Sequence, residues 1–238
     1  MLACAPTMDA HPETVITTLI DALAPGARVL DLGAGAGTFP YAAYPALEVA
    51  AVELRPRPGS DAIRSGRLVC ATSHRLPFRS GTFDLVIAHW LFEHVDALEA
   101  TYDEVARVVR PGGLLAVAVP NSHSFEDRLY RFVSHVYKYA LLHFRKRIEH
   151  VQVLTFLNVN QALYARGFRL VRFGVESGGY CWLDVPQLKP FKPAILAGLE
   201  GLKRLGLDPF RGANYRLLFE RAAESGPGGT YLQGDRRR

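Results

Sequence analysis

The residues best placed to bind a ligand form one glycine-rich segment. Residues 29–37 read VLDLGAGAG, an apolar run followed by alternating glycines, with Asp31 at the junction. Glycine has no Cβ, so the chain can turn sharply there and a ligand can approach its backbone. Free amide groups at such a turn suit an anionic or polar group. The segment therefore predicts a ligand-binding turn between a strand and a helix.

The glycine spacing differs from two common phosphate-binding loops. A dinucleotide-binding loop has the pattern GxGxxG, but Thr38 stands three residues after Gly35. A P-loop ends in Gly-Lys followed by Ser or Thr, and no such triplet follows here. The pattern DxGxGxG therefore predicts neither loop.

An acidic residue follows the glycines at an informative distance. Glu53 ends the apolar run VAAVE, about twenty residues after the first glycine, where a carboxylate can accept both hydroxyl protons of a ribose. The alternative is a solvated glutamate at a strand end. The glycine turn before it favours the ribose-binding interpretation.

Five short motifs, in this order, resemble the class I methyltransferases, in particular the broad group of small-molecule enzymes often called methyltransferase type 11. They are DLGAGAG, Glu53, LPF at 76–78 with FDLV at 83–86, EHV at 93–95, and RPGGL at 110–114. The resemblance covers residues 27–119, with a weaker echo at 154–173. It implies S-adenosylmethionine as the cofactor, which carries a ribose and a zwitterion but no phosphate.

The resemblance also implies which residues hold the methionine part of the cofactor. Gly33, Gly35 and Gly37 would line it, and Asp31 would hold its ammonium group directly or through water. His89 ends the predicted fourth strand, where the backbone carbonyl commonly faces the same amino group.

The nucleoside part of the cofactor would contact a second set of residues. Glu53 would bind both ribose hydroxyls, and Leu54 would pack on the adenine. Thr72 and Ser73 would meet the adenine edge. Family members usually carry an acid at the Thr72 position, and this chain departs from that pattern. A threonine hydroxyl can still accept a hydrogen bond, so binding remains possible.

The reacting groups are harder to assign. A hydroxyl acceptor would benefit from a general base, and histidine is the usual choice. His94, His123 and His150 follow predicted strand ends or border a long insertion, and each is a candidate beside a purely structural role. The stretch HWLFEH at 89–94 fits neither HExxH nor HxxEH, so no metal site is predicted there. The three cysteines form no CxxC pair, which disfavours zinc elsewhere.

Predicted strands and helices alternate along the chain that carries these residues. This alternation predicts an α/β fold with a Rossmann-like, doubly wound, seven-stranded sheet. The resemblance implies that the last strand is antiparallel. The predicted strands are 28–31, 49–53, 68–70, 83–88, 114–119, 170–175 and 215–219. The predicted helices are 13–24, 98–109, 154–165 and 194–205, with a short one at 38–44.

Two segments fall outside this alternation. Residues 122–150 form an insertion within a domain of residues 1–222, and residues 223–238 are predicted to be a disordered tail. Apolar residues of the insertion recur at three- and four-residue steps, which predicts an amphipathic helix. The helix could pack on the core, close over the acceptor site as a lid, or contact a membrane surface.

The composition limits the partners. The net charge of +5 admits nucleic acid, but the chain lacks the aromatic and glycine signatures of RNA-binding modules, so nucleic acid is not the expected partner. The N-terminus lacks the pattern of a signal peptide, which predicts a cytoplasmic location. We expect methyl transfer to an oxygen of a small-molecule or lipid-linked acceptor. The alternatives are a catalytically silent cofactor-binding protein and an RNA methyltransferase.

Overall fold

The computed structural model describes residues 12–35, 39–125, 128, 151–176, 189–206 and 212–223. The strands are β1 (Arg28–Leu32), β2 (Glu48–Glu53), β3 (Leu68–Cys70), β4 (Phe83–His89), β5 (Val109–Pro120), β6 (Phe168–Glu176) and β7 (Asn214–Arg221). The α-helices are α1 (Pro12–Asp21), α2 (Asp61–Arg64), α3 (Leu98–Val108), α4 (Phe156–Tyr164) and α5 (Lys192–Arg204).

The seven strands form one sheet in the order β3-β2-β1-β4-β5-β7-β6. Strands β1 to β5 pair in parallel, and β7 is antiparallel to both of its neighbours. The predicted fold class, including the antiparallel last strand, is confirmed. The order reverses at β1 and β4, and in open α/β sheets the ligand crevice lies at such a point, outside the carboxyl ends of the strands.

The sheet is apolar on both faces because each face packs on its own hydrophobic core. One core joins the sheet to α3 and α4 through residues that include Tyr102, Val105 and Leu163. The other holds Ile20 of α1 together with Phe39 and Tyr41, which follow the glycine turn. Burial on both faces accounts for the continuous Val, Leu and Ala runs of the parallel strands.

Helix α4 begins where its sequence provides a capping box. The Thr155 hydroxyl accepts from the Asn158 amide at 3.2 Å, and the Asn158 side chain accepts from the Thr155 amide at 2.8 Å. The pair satisfies two amides at the helix start. The helix therefore starts after Thr155, two residues later than the predicted start at Leu154.

The start of β5 differs from the prediction. The sequence predicts a helix over 98–109 and a strand over 114–119, but β5 already begins at Val109, which pairs with Phe83. The register then shifts before Leu85 pairs with Leu114, so the extra residues form an irregularity within the strand. A Cβ on Gly113 would lie 2.9 Å from the Arg110 carbonyl oxygen, which explains the glycine there.

Several predictions fall on residues that the structure does not describe. Most of the predicted insertion helix and all but the first residue of the predicted tail lie outside the described residues, as do Gly37 and His150. The short helix predicted at 38–44 is a 3₁₀ turn at Tyr41–Ala43 within the described part. Among the described helices, none has the length and apolarity needed to cross a bilayer.

Candidate functional site

Three neighbouring parallel strands end in the polar residues that the sequence singled out. Asp31 is the penultimate residue of β1, Glu53 the last of β2 and His89 the last of β4. Because β1 lies between β2 and β4, the three residues stand at one edge of the sheet. That edge includes the reversal of strand order, where a ligand crevice is expected.

The glycine turn is fixed to the neighbouring strand. The amides of Gly33 and Ala34 both donate to the carbonyl of Val52, at 2.8 and 3.0 Å. Gly33 has φ +79° and Gly35 has φ +53°, a region that other residues rarely adopt. A Cβ on Gly33 would lie 2.9 Å from Leu91, whereas one on Gly35 would come no closer than 3.8 Å to any described residue other than its chain neighbours. Gly35 thus leaves an open side that a ligand can approach.

The carboxylate of Glu53 is held by the backbone on both oxygens. Oε2 accepts from the Gly35 amide at 2.9 Å, and Oε1 accepts from the Arg55 amide at 3.1 Å. Each carboxylate oxygen can accept a second hydrogen bond, so both remain able to bind hydroxyl groups. Leu54, beside it, is 54% exposed and presents an apolar surface of the kind that an adenine ring would cover.

Asp31 is buried and has one strong hydrogen bond. Tyr41 donates its phenol proton to Asp31 Oδ2 at 2.6 Å. Burial raises the pKa of Asp31 to about 6, and the Tyr41 bond opposes that rise. The nearby Glu53 carboxylate adds to the rise. A ligand ammonium group would compensate this buried charge, because an opposite charge favours the ionised carboxylate.

Tyr41 was not anticipated from the sequence. It stands ten residues after Asp31, in the 3₁₀ turn that folds back onto the sheet. Burial, and next the charge of Asp31, raise its pKa, so the phenol stays protonated and remains a donor. No motif marks this position, and only the packing of the turn brings the two side chains together.

The residues expected at the adenine edge follow β3. Thr72 and Ser73 are both half-buried. The Ser73 and Thr101 hydroxyl oxygens lie 3.0 Å apart, and Thr101 donates to the Ala97 carbonyl at 3.0 Å. Because Thr101 has a single proton, Ser73 is the donor in their contact and keeps lone pairs free to accept. Ser73 can thus accept from an adenine amino group in a chain that lacks the usual acid.

The residues after β4 divide into core and surface positions. Phe92 is buried and packs edge-to-face on Tyr102, with ring centroids 4.9 Å apart. Trp90 is 38% exposed and has φ +53°, which is unusual for a residue with a side chain. The guanidinium carbon of Arg216 lies 5.4 Å from the centroid of the Trp90 indole. Arg216 is a second residue of this region that the sequence did not single out.

The histidine candidates occupy unequal positions. His94 is exposed, with Nε2 3.9 Å from Oε1 of the buried Glu93. His123 is exposed just after β5, and its amide donates to the Asn121 side chain at 3.1 Å. His150 lies outside the described residues, although the next residue, Val151, donates its amide to the Glu93 carbonyl. Their catalytic roles stay predictions.

The geometry suits the cofactor that the resemblance implies. The residues that would contact it are a carboxylate set for a ribose, a buried acid for an ammonium group and a glycine turn with an open side. Within the ranges that the structure describes, no three His, Cys, Asp or Glu side chains form a group able to hold a metal ion.

Known proteins match both the sequence and the fold. A family model described as a methyltransferase domain matches residues 30–117. A malonyl-[acyl-carrier protein] O-methyltransferase of Methylococcus capsulatus is 30% identical over 199 residues, which cover 76% of this chain and 62% of that protein. A malonyl-[acyl-carrier protein] O-methyltransferase of Geobacter sulfurreducens is 29% identical over 206 residues, covering 82% of this chain and 71% of that protein.

A solved structure repeats the architecture. The YcgJ protein of Bacillus subtilis superposes with a TM-score of 0.61 at 18% identity, covering 90% of this chain and all of that one. This similarity concerns the fold alone. The chain spans less than two thirds of the length of the Methylococcus relative, at 62%.

Proposed function

We propose that this chain, which belongs to the class I S-adenosylmethionine-dependent methyltransferases, transfers a methyl group to an oxygen of a small-molecule or acyl-carrier-linked acceptor. The similarity to two malonyl-[acyl-carrier protein] O-methyltransferases carries the proposal. An alignment over 76% of a 238-residue chain must extend well beyond residues 30–117 of the family model. The likeness therefore includes part of the chain outside the cofactor-binding half.

The role of the protein in such a reaction is mainly to bind and align the reactants. S-adenosylmethionine supplies an electrophilic methyl group when it is bound. Glu53 would hold the ribose, and Asp31, supported by Tyr41, would hold the ammonium group. With the cofactor fixed at these two points, the transferred group faces a defined direction, and orientation of this kind accounts for much of the rate in displacement reactions.

A carboxylate acceptor would need none of the histidine candidates to act as a base. His94 and His123 are exposed, and burial, followed by the charge of Arg216, lowers the pKa of His89 to about 4. An alcohol must lose a proton when it is methylated, so it benefits from a base. A carboxylate is already ionised at neutral pH. Its methylation therefore needs alignment but no proton acceptor.

The test is methyl transfer from labelled S-adenosylmethionine to malonyl-acyl carrier protein. The matched control is the same carrier protein bearing an acetyl group, which has no free carboxylate. Label on the malonyl carrier alone, released as methanol by mild alkaline hydrolysis, would support the proposal. Cofactor binding without label transfer to either carrier or to cell extract would favour a silent binding protein. Label in RNA, with binding that weakens steeply with salt, would favour an RNA methyltransferase.

A further inference from the structure

Four residues on adjacent strands form a row across β4, β5, β7 and β6. His89 of β4 pairs with Ala118 of β5, Ala118 with Arg216 of β7, and Arg216 with Gly174 of β6. Directly paired residues project from the same face of a sheet. The side chains of His89 and Arg216 are therefore on one face, separated only by the methyl group of Ala118.

The same face carries Asp31. The preceding same-face row pairs Asp31 with Ile87, Ile87 with Ala116, and Ala116 with Leu218. His89 and Ala118 are each two residues further towards the carboxyl ends of their strands. The row that contains Arg216 thus lies beside the predicted methionine site and nearer to the open edge.

Small residues flank Arg216 on both sides. Ala118 and Gly174 leave room beside its side chain, and a Cβ on Gly174 would lie 3.6 Å from Arg216. Above the row, the Trp90 amide donates to the Ala118 carbonyl at 2.9 Å, which holds the indole over the strand end. The guanidinium carbon lies 5.4 Å from the centre of that ring, which is a cation–π arrangement.

The neighbouring imidazole of His89 adds a ring nitrogen that could bind the same ligand. His89 Nε2 is buried and has no hydrogen-bond partner among the residues that the structure describes. Burial and the charge of Arg216 lower the pKa of His89, so the ring is neutral at physiological pH. The row therefore places a guanidinium close to a neutral imidazole on one face of the sheet, so that one anionic group could contact both.

We propose that Arg216, supported by Trp90 and flanked by His89, is the subsite that binds the carboxylate of the methyl acceptor. The inference rests on the proposed function and adds the residue that selects the carboxylate. A guanidinium offers two parallel N–H donors, a geometry that matches a carboxylate. A buried His89 proton on Nε2 would complete the set of donors.

The reaction at this subsite balances without a proton transfer. A carboxylate oxygen forms a bond to the methyl carbon, the bond between that carbon and sulfur breaks, and its electron pair stays on sulfur. The products are a neutral methyl ester and S-adenosylhomocysteine. Because the ester has no charge, it loses its attraction to Arg216, which favours release of the product.

The test compares Arg216→Gln and Arg216→Lys with Arg169→Gln, a control at the far end of β6 whose side chain pairs with Glu220 at 2.8 Å. Calorimetry on protein loaded with S-adenosylhomocysteine measures binding of malonate and of the uncharged malonamide. We expect the natural chain to bind malonate but not malonamide. Arg216→Gln should weaken malonate binding about tenfold or more, since it removes a charge-assisted contact.

The lysine variant keeps the charge but loses the two-pronged geometry, so we expect an intermediate loss. The affinity for S-adenosylhomocysteine and the unfolding temperature should stay close to those of the Arg169→Gln control. With malonyl-acyl carrier protein, Arg216→Gln should raise KM rather than remove cofactor binding.

The two proposals fail in different ways. If both Arg216 variants bind malonate as the natural chain does, or if the natural chain binds malonamide equally well, the subsite is wrong. Methyl transfer to malonyl-acyl carrier protein with an unchanged KM in Arg216→Gln would likewise overturn it, while the proposed function would stand. Malonate binding that depends on Arg216, without transfer to that carrier, would support the subsite and contradict the acceptor.

Discussion

The phenol of Tyr41 donates a 2.6 Å hydrogen bond to the carboxylate of Asp31 at the carboxyl end of β1. Both side chains are buried, and the turn that carries Tyr41 packs in the core on that face of the sheet. The bond favours the ionised form of an acid that burial would otherwise keep protonated. It thus adjusts the charge of the residue expected to hold the cofactor ammonium group.

Tyr41→Phe should therefore raise the pKa of Asp31 further, because it removes the one interaction that lowers it. The pH below which S-adenosylmethionine binding weakens should move upward, as a pH series of calorimetric titrations would measure. Tyr44→Phe is the matched control, since its phenol bonds Asp21 at 3.0 Å on the surface. Identical pH profiles for the two variants would show that Tyr41 does not act through Asp31.

Cofactor binding should release protons near pH 6. In the free protein the pKa of Asp31 is about 6, and an adjacent ammonium group would lower it in the complex. Affinity should therefore rise with pH up to about 6 and then level off, with about half a proton released per bound cofactor at that pH. Titrations in buffers of different ionisation enthalpy measure this number. Equal release from Asp31→Asn would assign the protons to another group.

Asp31→Asn should stabilise the cofactor-free protein at alkaline pH. A carboxyl whose pKa is raised on folding contributes stability below its unfolded pKa, and that contribution is lost as pH rises through about 6. An amide does not ionise, so at pH 8 the free energy of unfolding of Asp31→Asn should exceed that of the natural chain by up to about 3 kcal/mol. This difference should shrink as the pH falls through about 6. Denaturant unfolding at several pH values measures it. A variant no more stable than the natural chain at pH 8 would contradict the assigned pKa.

Gly35→Ala should lower both the stability of the protein and its affinity for the cofactor, each for its own physical reason. A side chain at positive φ costs roughly 1–2 kcal/mol, and φ is +53° at Gly35 and +80° at Gly26. Neither added Cβ would come closer than 3.8 Å to a described residue other than its chain neighbours. Both variants should thus lose similar stability in thermal unfolding, but only Gly35→Ala should lose cofactor affinity. Equal affinities would mean that the ligand does not approach this turn.

Much of the fold could be predicted because parallel strands that are covered on both faces consist of apolar runs, and such runs are readily assigned as strands. The strand at Leu68–Cys70 matches its predicted bounds, and the other boundaries within the parallel half differ by at most one residue except at β5. The early start of β5 could not be predicted, because Arg110–Gly113 has the composition of a turn. The strand extends to Val109, which pairs with Phe83 on the neighbouring strand, a contact that the local sequence does not specify.

The residues of the candidate site also differ in whether the sequence alone could predict them. Asp31, Gly35 and Glu53 belong to a local pattern, and the structure joins Gly35 to Glu53 through a 2.9 Å hydrogen bond. Tyr41 and Arg216 belong to no motif, since their positions depend on how a turn folds back and on the register of an antiparallel strand. The sequence alone does not specify that register, so the alignment of Arg216 with His89 emerged only from the structure.

The central claim is that one S-adenosylmethionine binds at the carboxyl ends of β1 and β2 with its ribose on Glu53. Calorimetric titration of Glu53→Ala tests it most directly, with Glu48→Ala as the control at the opposite end of β2, where Glu48 pairs with Arg28 at 3.0 Å. We predict one site per chain in the natural protein and in Glu48→Ala. We predict a loss of about 1.5–3 kcal/mol in Glu53→Ala, roughly ten- to hundredfold in Kd. Unchanged affinity in Glu53→Ala would contradict the account.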